Sequence, residues 1–152
     1  AFNPDYAVQI HNNAGGGDGV EICHTLKGGK GKVLAQNTLK EIVAIGQNSR
    51  GLKTKKNSAG KDYFGWVRET KAPAILIECA FVDNKKDIAI IDTASEQKKM
   101  GIAIAKGILK TLGIKWVAEK TYTITISNLT KAKADALKKD LSAKGYIVTV
   151  KA

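Results

Sequence analysis

Residues 73–81 read PAILIECAF, Pro73 to Phe81, and this stretch decides the fold. Apolar side chains fill both of its alternating faces, which suits a strand buried between two helical layers better than a half-exposed one. The pattern breaks over residues 83–87. Further on, residues 95–112 put Met100, Ile104, Ile108, Leu109 and Leu112 on one stripe, the mark of a long amphipathic helix. Before the strand, Ala35, Leu39, Ile42 and Val43 recur at helical spacing over residues 33–45, and this core-facing helix stops near Gly46. Residues 6–10 and 19–23 (GVEIC) read as two more strands joined by a glycine-rich turn. The KGGKGK run at 27–32 reads as a breaker, and 47–61 as a polar, lysine-rich stretch. Strands alternating with helices predict an α/β domain, a mostly parallel sheet flanked by helices.

A boundary is expected near residues 114–120, giving a domain over 1–115 and a smaller unit over 120–152. In that unit TYTITIS (121–127) alternates as a strand, 129–145 is a helix with Leu137 and Leu141 on one face, and YIVTV (146–150) is a strand. This is a β-α-β unit near the minimum length for one.

A chain of 152 residues with 43% hydrophobic content can bury one core plus a small appendage. No run of about 18 apolar residues occurs, so no membrane span is expected, and no signal-peptide pattern opens the chain. It starts at Ala1 and not at methionine, which fits a fragment or a processed product. The net charge is +11, and Arg50 and Arg68 are the only arginines among 25 basic residues. Such a surface attracts polyanions through a long-range field but lacks the arginine forks that base readout uses. With 6% aromatic residues, neither a stacking platform nor a recognition helix is visible, which argues against nucleic acid as partner. Cys23 and Cys79 lie far apart with no CxxC unit; two buried free thiols are the default, and a disulfide is the alternative.

In open parallel sheets, ligands bind at the carboxyl ends of the strands. His11 follows one predicted strand, and Glu78 follows the apolar run Ala74 to Ile77. If these strands are parallel, imidazole and carboxylate open to the same side, as in a hydrolase whose imidazole binds zinc and whose carboxylate moves a proton. Spacing equally allows a locally hydrogen-bonded His and a solvent-facing Glu.

The segment QIHNNAGGGDGVEI, residues 9–22, resembles the strand-loop-strand of the zinc-dependent N-acetylmuramoyl-L-alanine amidases of the third amidase family. That family shows Ile or Val, His, any residue, Asn, Ala, then a glycine-rich segment ending in Gly-Val-Glu. Arg50-Gly51-Leu52-Lys53 is similar to its Arg-Gly loop. PAILIECAFVDNKKD, residues 73–87, is similar to its Pro-Ala-apolar-apolar-apolar-Glu-x-x-Phe-apolar-x-Asn pattern. The resemblance implies hydrolysis of the amide between N-acetylmuramic acid and L-alanine of peptidoglycan. His11 would be a zinc ligand and Glu78 the catalytic carboxylate, taking a proton from the attacking water and returning it to the leaving amine. For Asn13, substrate binding and turn stabilisation fit equally. The glycines 15–17 would let the loop approach a glycan, or would simply permit positive φ.

The family's zinc site takes two further ligands, a His and a Glu, from segments preceding the one that matches Tyr6. No residue here matches them, and His24 corresponds to neither. The resemblance therefore implies the later portion of an amidase domain, with weak zinc binding and no stem-peptide release by the chain alone, both restored by the preceding segment. The alternative is a non-catalytic peptidoglycan-binding protein with an incomplete metal site. Residues 120–152 are similar to the β-α-β repeat of SPOR-type peptidoglycan-binding modules and cover half of one. Peptidoglycan is the implied partner, anionic cell-wall polymers are compatible ones, and the implied location is the bacterial wall or outside the cell, for a bacterial or phage-encoded protein.

Overall fold

The computed structural model describes residues 3–117 and 129–144. The chain divides into two compact units, Ala1–Val117 and Ala118–Ala152. In the first unit the order is β1 (Ala7–Asn13), β2 (Val20–His24), α1 (Gly29–Ala44), β3 (Ser49–Lys53), α2 (Gly65–Glu69), β4 (Ala74–Phe81), α3 (Lys85–Ile88) and α4 (Ala94–Thr111). In the second unit α5 (Lys131–Ala143) is described; it buries none of its residues and carries the i,i+4 pairs Lys131 to Asp135 and Lys144 to Asp140. The two strands expected at 121–127 and 146–150 lie outside the described residues.

The four strands form one sheet in the order β1-β4-β2-β3. PAILIECAF supplies its interior: β4 is bracketed by β1 and β2, and Glu78 is its only residue that is not fully buried. The pairs β1 with β4 and β2 with β3 are parallel, as the expected α/β domain with a mostly parallel sheet requires, while β2 with β4 is antiparallel and makes the sheet mixed. The cause is the short connection between β1 and β2, residues 14–19. A parallel return needs a crossover of roughly a dozen residues or more; this loop can only reverse the chain, and it does so across the carboxyl end of β4.

Val20, Ile22, Ile75 and Ile77 of the sheet form the core with Leu34, Ala35 and Ile42 of α1 and Met100, Ala103 and Ile104 of α4. Helix α4 opens with a capping box in which Thr93 and Glu96 satisfy each other's backbone N–H. Helix α1 starts at Gly29, inside the KGGKGK run expected to break structure. Gly28 and Gly29 turn the chain at φ 71° and 62°, and a Cβ on Gly31 would meet the Ala74 carbonyl oxygen at 3.4 Å. Close docking on β4 thus outweighs the poor helix propensity of glycine. Strand β3 and short α2 fall in or just after the stretch read as polar. SRGLK has no apolar alternation, and its pairing with β2 makes it a strand where a loop is expected. Cys23 and Cys79 are both free and buried.

Helices α1 and α4 touch where Gly107 meets Thr38: a Cβ on Gly107 would overlap the Thr38 backbone. Gly107→Ala should therefore push the helices apart and destabilise the protein by about 1–3 kcal/mol, the usual range for overpacking, despite alanine's better helix propensity. A denaturant midpoint equal to or above wild type would contradict this.

Candidate active site

Parallel pairing sets His11 of β1 directly beside Glu78 of β4, and antiparallel pairing sets Glu78 opposite Glu21 of β2. Residues paired across adjacent strands share a face, so an imidazole and two carboxylates stand in a row across three strands. All lie toward the carboxyl ends of β1 and β4. His11 is exposed and Glu78 half-buried. The buried Glu78 Oε2 has no hydrogen-bond partner. Burial raises the proton affinity of Glu78 and nearby Glu21 raises it further, while His11 opposes both.

Strand irregularities tune this row. After His11 and Glu78, the next pair is Asn13 with Phe81, so β4 carries one extra residue there. That bulge brings Glu78 and Phe81, three positions apart, to the face shared by His11 and Asn13; bulges commonly re-aim side chains in this way. Asn13 accepts from the Ala14 N–H at 2.9 Å and donates Nδ2 to Glu21 Oε1 at 3.3 Å. It thus stabilises the turn and holds Glu21, whose other oxygen accepts from Arg50 Nε at 3.0 Å. Neither Glu21 nor Arg50 is assigned a role by the sequence reading. Their signal was present, because both sit in matched motifs, but charge alone did not place them at this face. His24 is buried at the far end of β2, its Nδ1 2.8 Å from the Thr25 carbonyl oxygen, and does not join the site.

The glycine loop is held from below. Asp83 Oδ2 accepts from the Gly15 and Gly16 N–H groups at 2.7 and 2.8 Å, Asn84 Nδ2 donates to the Gly17 carbonyl at 2.8 Å, and buried Asp87 accepts from Gly19 and Phe81 N–H. A Cβ on Gly17 would overlap the Phe81 ring. The close approach that demands glycine here is to the protein itself. The two N–H bonds hold the Asp83 carboxyl below its usual range. Because its folded value is depressed, their contribution is present above the ordinary carboxylate range and is lost as pH falls through the folded value. Acidification through the folded value should lower the protection of the Gly15 and Gly16 amides relative to their intrinsic exchange rates, and Asp83→Asn should do so at neutral pH; unchanged protection in both cases would remove the tether.

An imidazole nitrogen is a zinc donor, and His11 could supply one; a catalytic zinc takes three protein ligands, and the row provides a single imidazole beside its carboxylates. Among the described residues no group of three or more His, Cys, Asp or Glu is arranged to hold a metal. Two open depressions of about 570 and 390 Å³ lie at the opposite end of the sheet, around Lys27, Asp62 and Arg68, away from this row.

Residues 1–110 match a family model described as N-acetylmuramoyl-L-alanine amidase. The N-acetylmuramoyl-L-alanine amidase CwlM of Bacillus licheniformis is 30% identical over 149 residues, covering 96% of this chain and 56% of that protein. Among solved structures, Cwp6 from Clostridium difficile is similar with a TM-score of 0.70 at 43% identity, over 72% of this chain and 18% of that one. The catalytic domain of CwlV, an N-acetylmuramoyl-L-alanine amidase from Bacillus (Paenibacillus) polymyxa var. colistinus, gives 0.61 at 28% identity, over 73% and 59%. The chain spans a little over half the length of the Bacillus amidases it matches.

Proposed function

The chain belongs to the N-acetylmuramoyl-L-alanine amidase family, and from that premise we propose that it serves zinc-dependent hydrolysis of the amide between N-acetylmuramic acid and L-alanine of peptidoglycan. The observation that carries this reading is the unpartnered Glu78 Oε2 beside the exposed His11, in the carboxyl-terminal halves of two parallel strands. His11 is the residue that would hold zinc. When bound, zinc supplies Lewis-acid polarisation of the scissile carbonyl and makes water more acidic. Glu78 takes the proton of the attacking water on its carboxylate and hands it to the departing alanine nitrogen, a transfer its raised proton affinity favours. Asn13 lines the site and fixes Glu21.

The proposal extends to the domain plan and setting: residues 1–115 form the catalytic portion, residues 120–152 a SPOR-like wall-binding unit, and the protein acts at the bacterial wall. Among the described residues no helix is long and apolar enough to cross a membrane.

The test is zinc-dependent appearance of free alanine amines from purified cell walls. It is run on the chain alone and on the chain preceded by a segment carrying a His and a Glu, with His11→Ala in each. Amine release is expected with the preceding segment. His11→Ala should weaken zinc retention at least about 100-fold, since even outer-shell partners are worth 10–100-fold. Equal zinc affinity and equal release in that variant would assign the metal elsewhere.

A further inference from the structure

Arg50 and Arg68 are the only two arginines, and the fold uses them differently. Arg68 is consumed structurally: its Nη1 donates to the Asp62 and Tyr63 carbonyls and its Nε to Glu69. Arg50 is placed by a register shift. Val20 pairs with Ser49 but Glu21 pairs with Gly51, so Arg50 is the extra residue of a bulge in β3, and Gly51 at φ 80° makes the backbone turn that this needs. The bulge sends the guanidinium to Glu21, which receives Nε at 3.0 Å, and over the Phe81 ring, 4.9 Å from its centroid. The Nε bond and the nearby ring restrain the group. Among the described residues, Nη1 and Nη2 make no hydrogen bond, and the side chain remains 39% exposed.

We propose that Arg50 is a specificity-determining residue of this site, its terminal nitrogens receiving a carboxylate carried by the peptide part of the substrate. The inference rests on the hydrolytic reading above. An exposed ion pair by itself contributes little stability, whereas a guanidinium held through Nε, with its two terminal nitrogens free, is matched to a carboxylate. Phe81 lies three residues beyond Glu78 and on the same face, so the guanidinium stands within about two strand spacings, ~10 Å, of the reacting carboxylate. Successive Cα atoms lie ~3.8 Å apart, and a side-chain or terminal carboxyl one or two residues past the scissile amide reaches that distance.

The experiment compares two probes, N-acetylmuramoyl-L-alanyl-D-glutamate and its diamide, by calorimetric binding and by amine release, both measured on the full chain preceded by the segment carrying a His and a Glu. Wild type should bind the diacid about 10- to 100-fold more tightly, the range for hydrogen bonds to a charged group. Arg50→Gln should bring the preference to within about threefold, with the loss in Kd and KM and not in kcat; Arg50→Lys, which keeps the charge without the fork, should retain part of it. Carboxylate-selective binding without amine release from either probe would leave this inference standing and refute the hydrolytic reading. The inference is overturned by a wild type that shows no preference or binds neither probe, or by an Arg50→Gln that weakens both probes equally.

Discussion

Glu78→Gln is expected to lower the rate of amide hydrolysis by about 10² to 10⁴, the usual worth of a positioned general base, while leaving wall binding and zinc retention within a few-fold of wild type. The amide preserves the shape of the side chain and its place beside His11, but it cannot accept a proton. The same residue sets the acid side of the pH profile. Burial and Glu21 raise its proton affinity, so activity should fall, as pH is lowered, at a pH above that of an ordinary carboxylate. Glu21→Gln removes one cause of the rise and should move that limb to lower pH. Rapid amine release by Glu78→Gln, measured by single-turnover kinetics on purified walls, would assign proton transfer to another group.

The second large effect is on stability. Asp87 is 1% exposed and accepts from two buried N–H groups, Gly19 with both oxygens at 3.1 and 2.9 Å and Phe81 at 2.7 Å. It ties the glycine loop to the end of β4, so it supports both the strand reversal and the bulge next to Glu78. Asp87→Ala leaves both donors without a partner in a space closed to water. At about 1–3 kcal/mol for each such group, the loss should be about 2–5 kcal/mol, a large part of the 5–15 kcal/mol typical of a domain. Asp87→Asn keeps one acceptor oxygen and should lose roughly half as much. Equilibrium denaturation with an unchanged m-value measures it; a loss below about 0.5 kcal/mol in the alanine variant would mean that Asp83 and Asn84 suffice to hold the loop.

The link from loop to site explains why the motif segments lie so far apart in the chain. Residues 14–19 cross above β4, and residues 83–87 leave β4 directly beneath them, so each segment supplies what the other lacks. One offers backbone donors free of side chains, and the other offers carboxylate and amide acceptors and donors. Glycine at 17 follows from the Phe81 ring, and positive φ at Gly15, Gly16 and Gly19 from the tight reversal.

Local pattern was sufficient wherever burial follows from it. The buried, largely apolar β4 and the two amphipathic helices were legible because each depends on a few residues in sequence and on the period of the element, whereas His11 and Glu78, expected just past their strands, lie within β1 and β4, which inter-strand pairing extends beyond the apolar runs. The resemblance over residues 9–22, 50–53 and 73–87 located the family. Long-range pairing decided the rest. It turned SRGLK into a strand without apolar alternation, started α1 within a glycine run, and reversed β2 against β4. It also brought Glu21 and Arg50 to the row of His11 and Glu78 through two one-residue shifts in register. A single extra residue flips which face a side chain meets, and no period in the sequence encodes where that residue falls. The chemical groups of the site are therefore written in the sequence, while their convergence on one face depends on hydrogen bonds between strands that are distant along the chain.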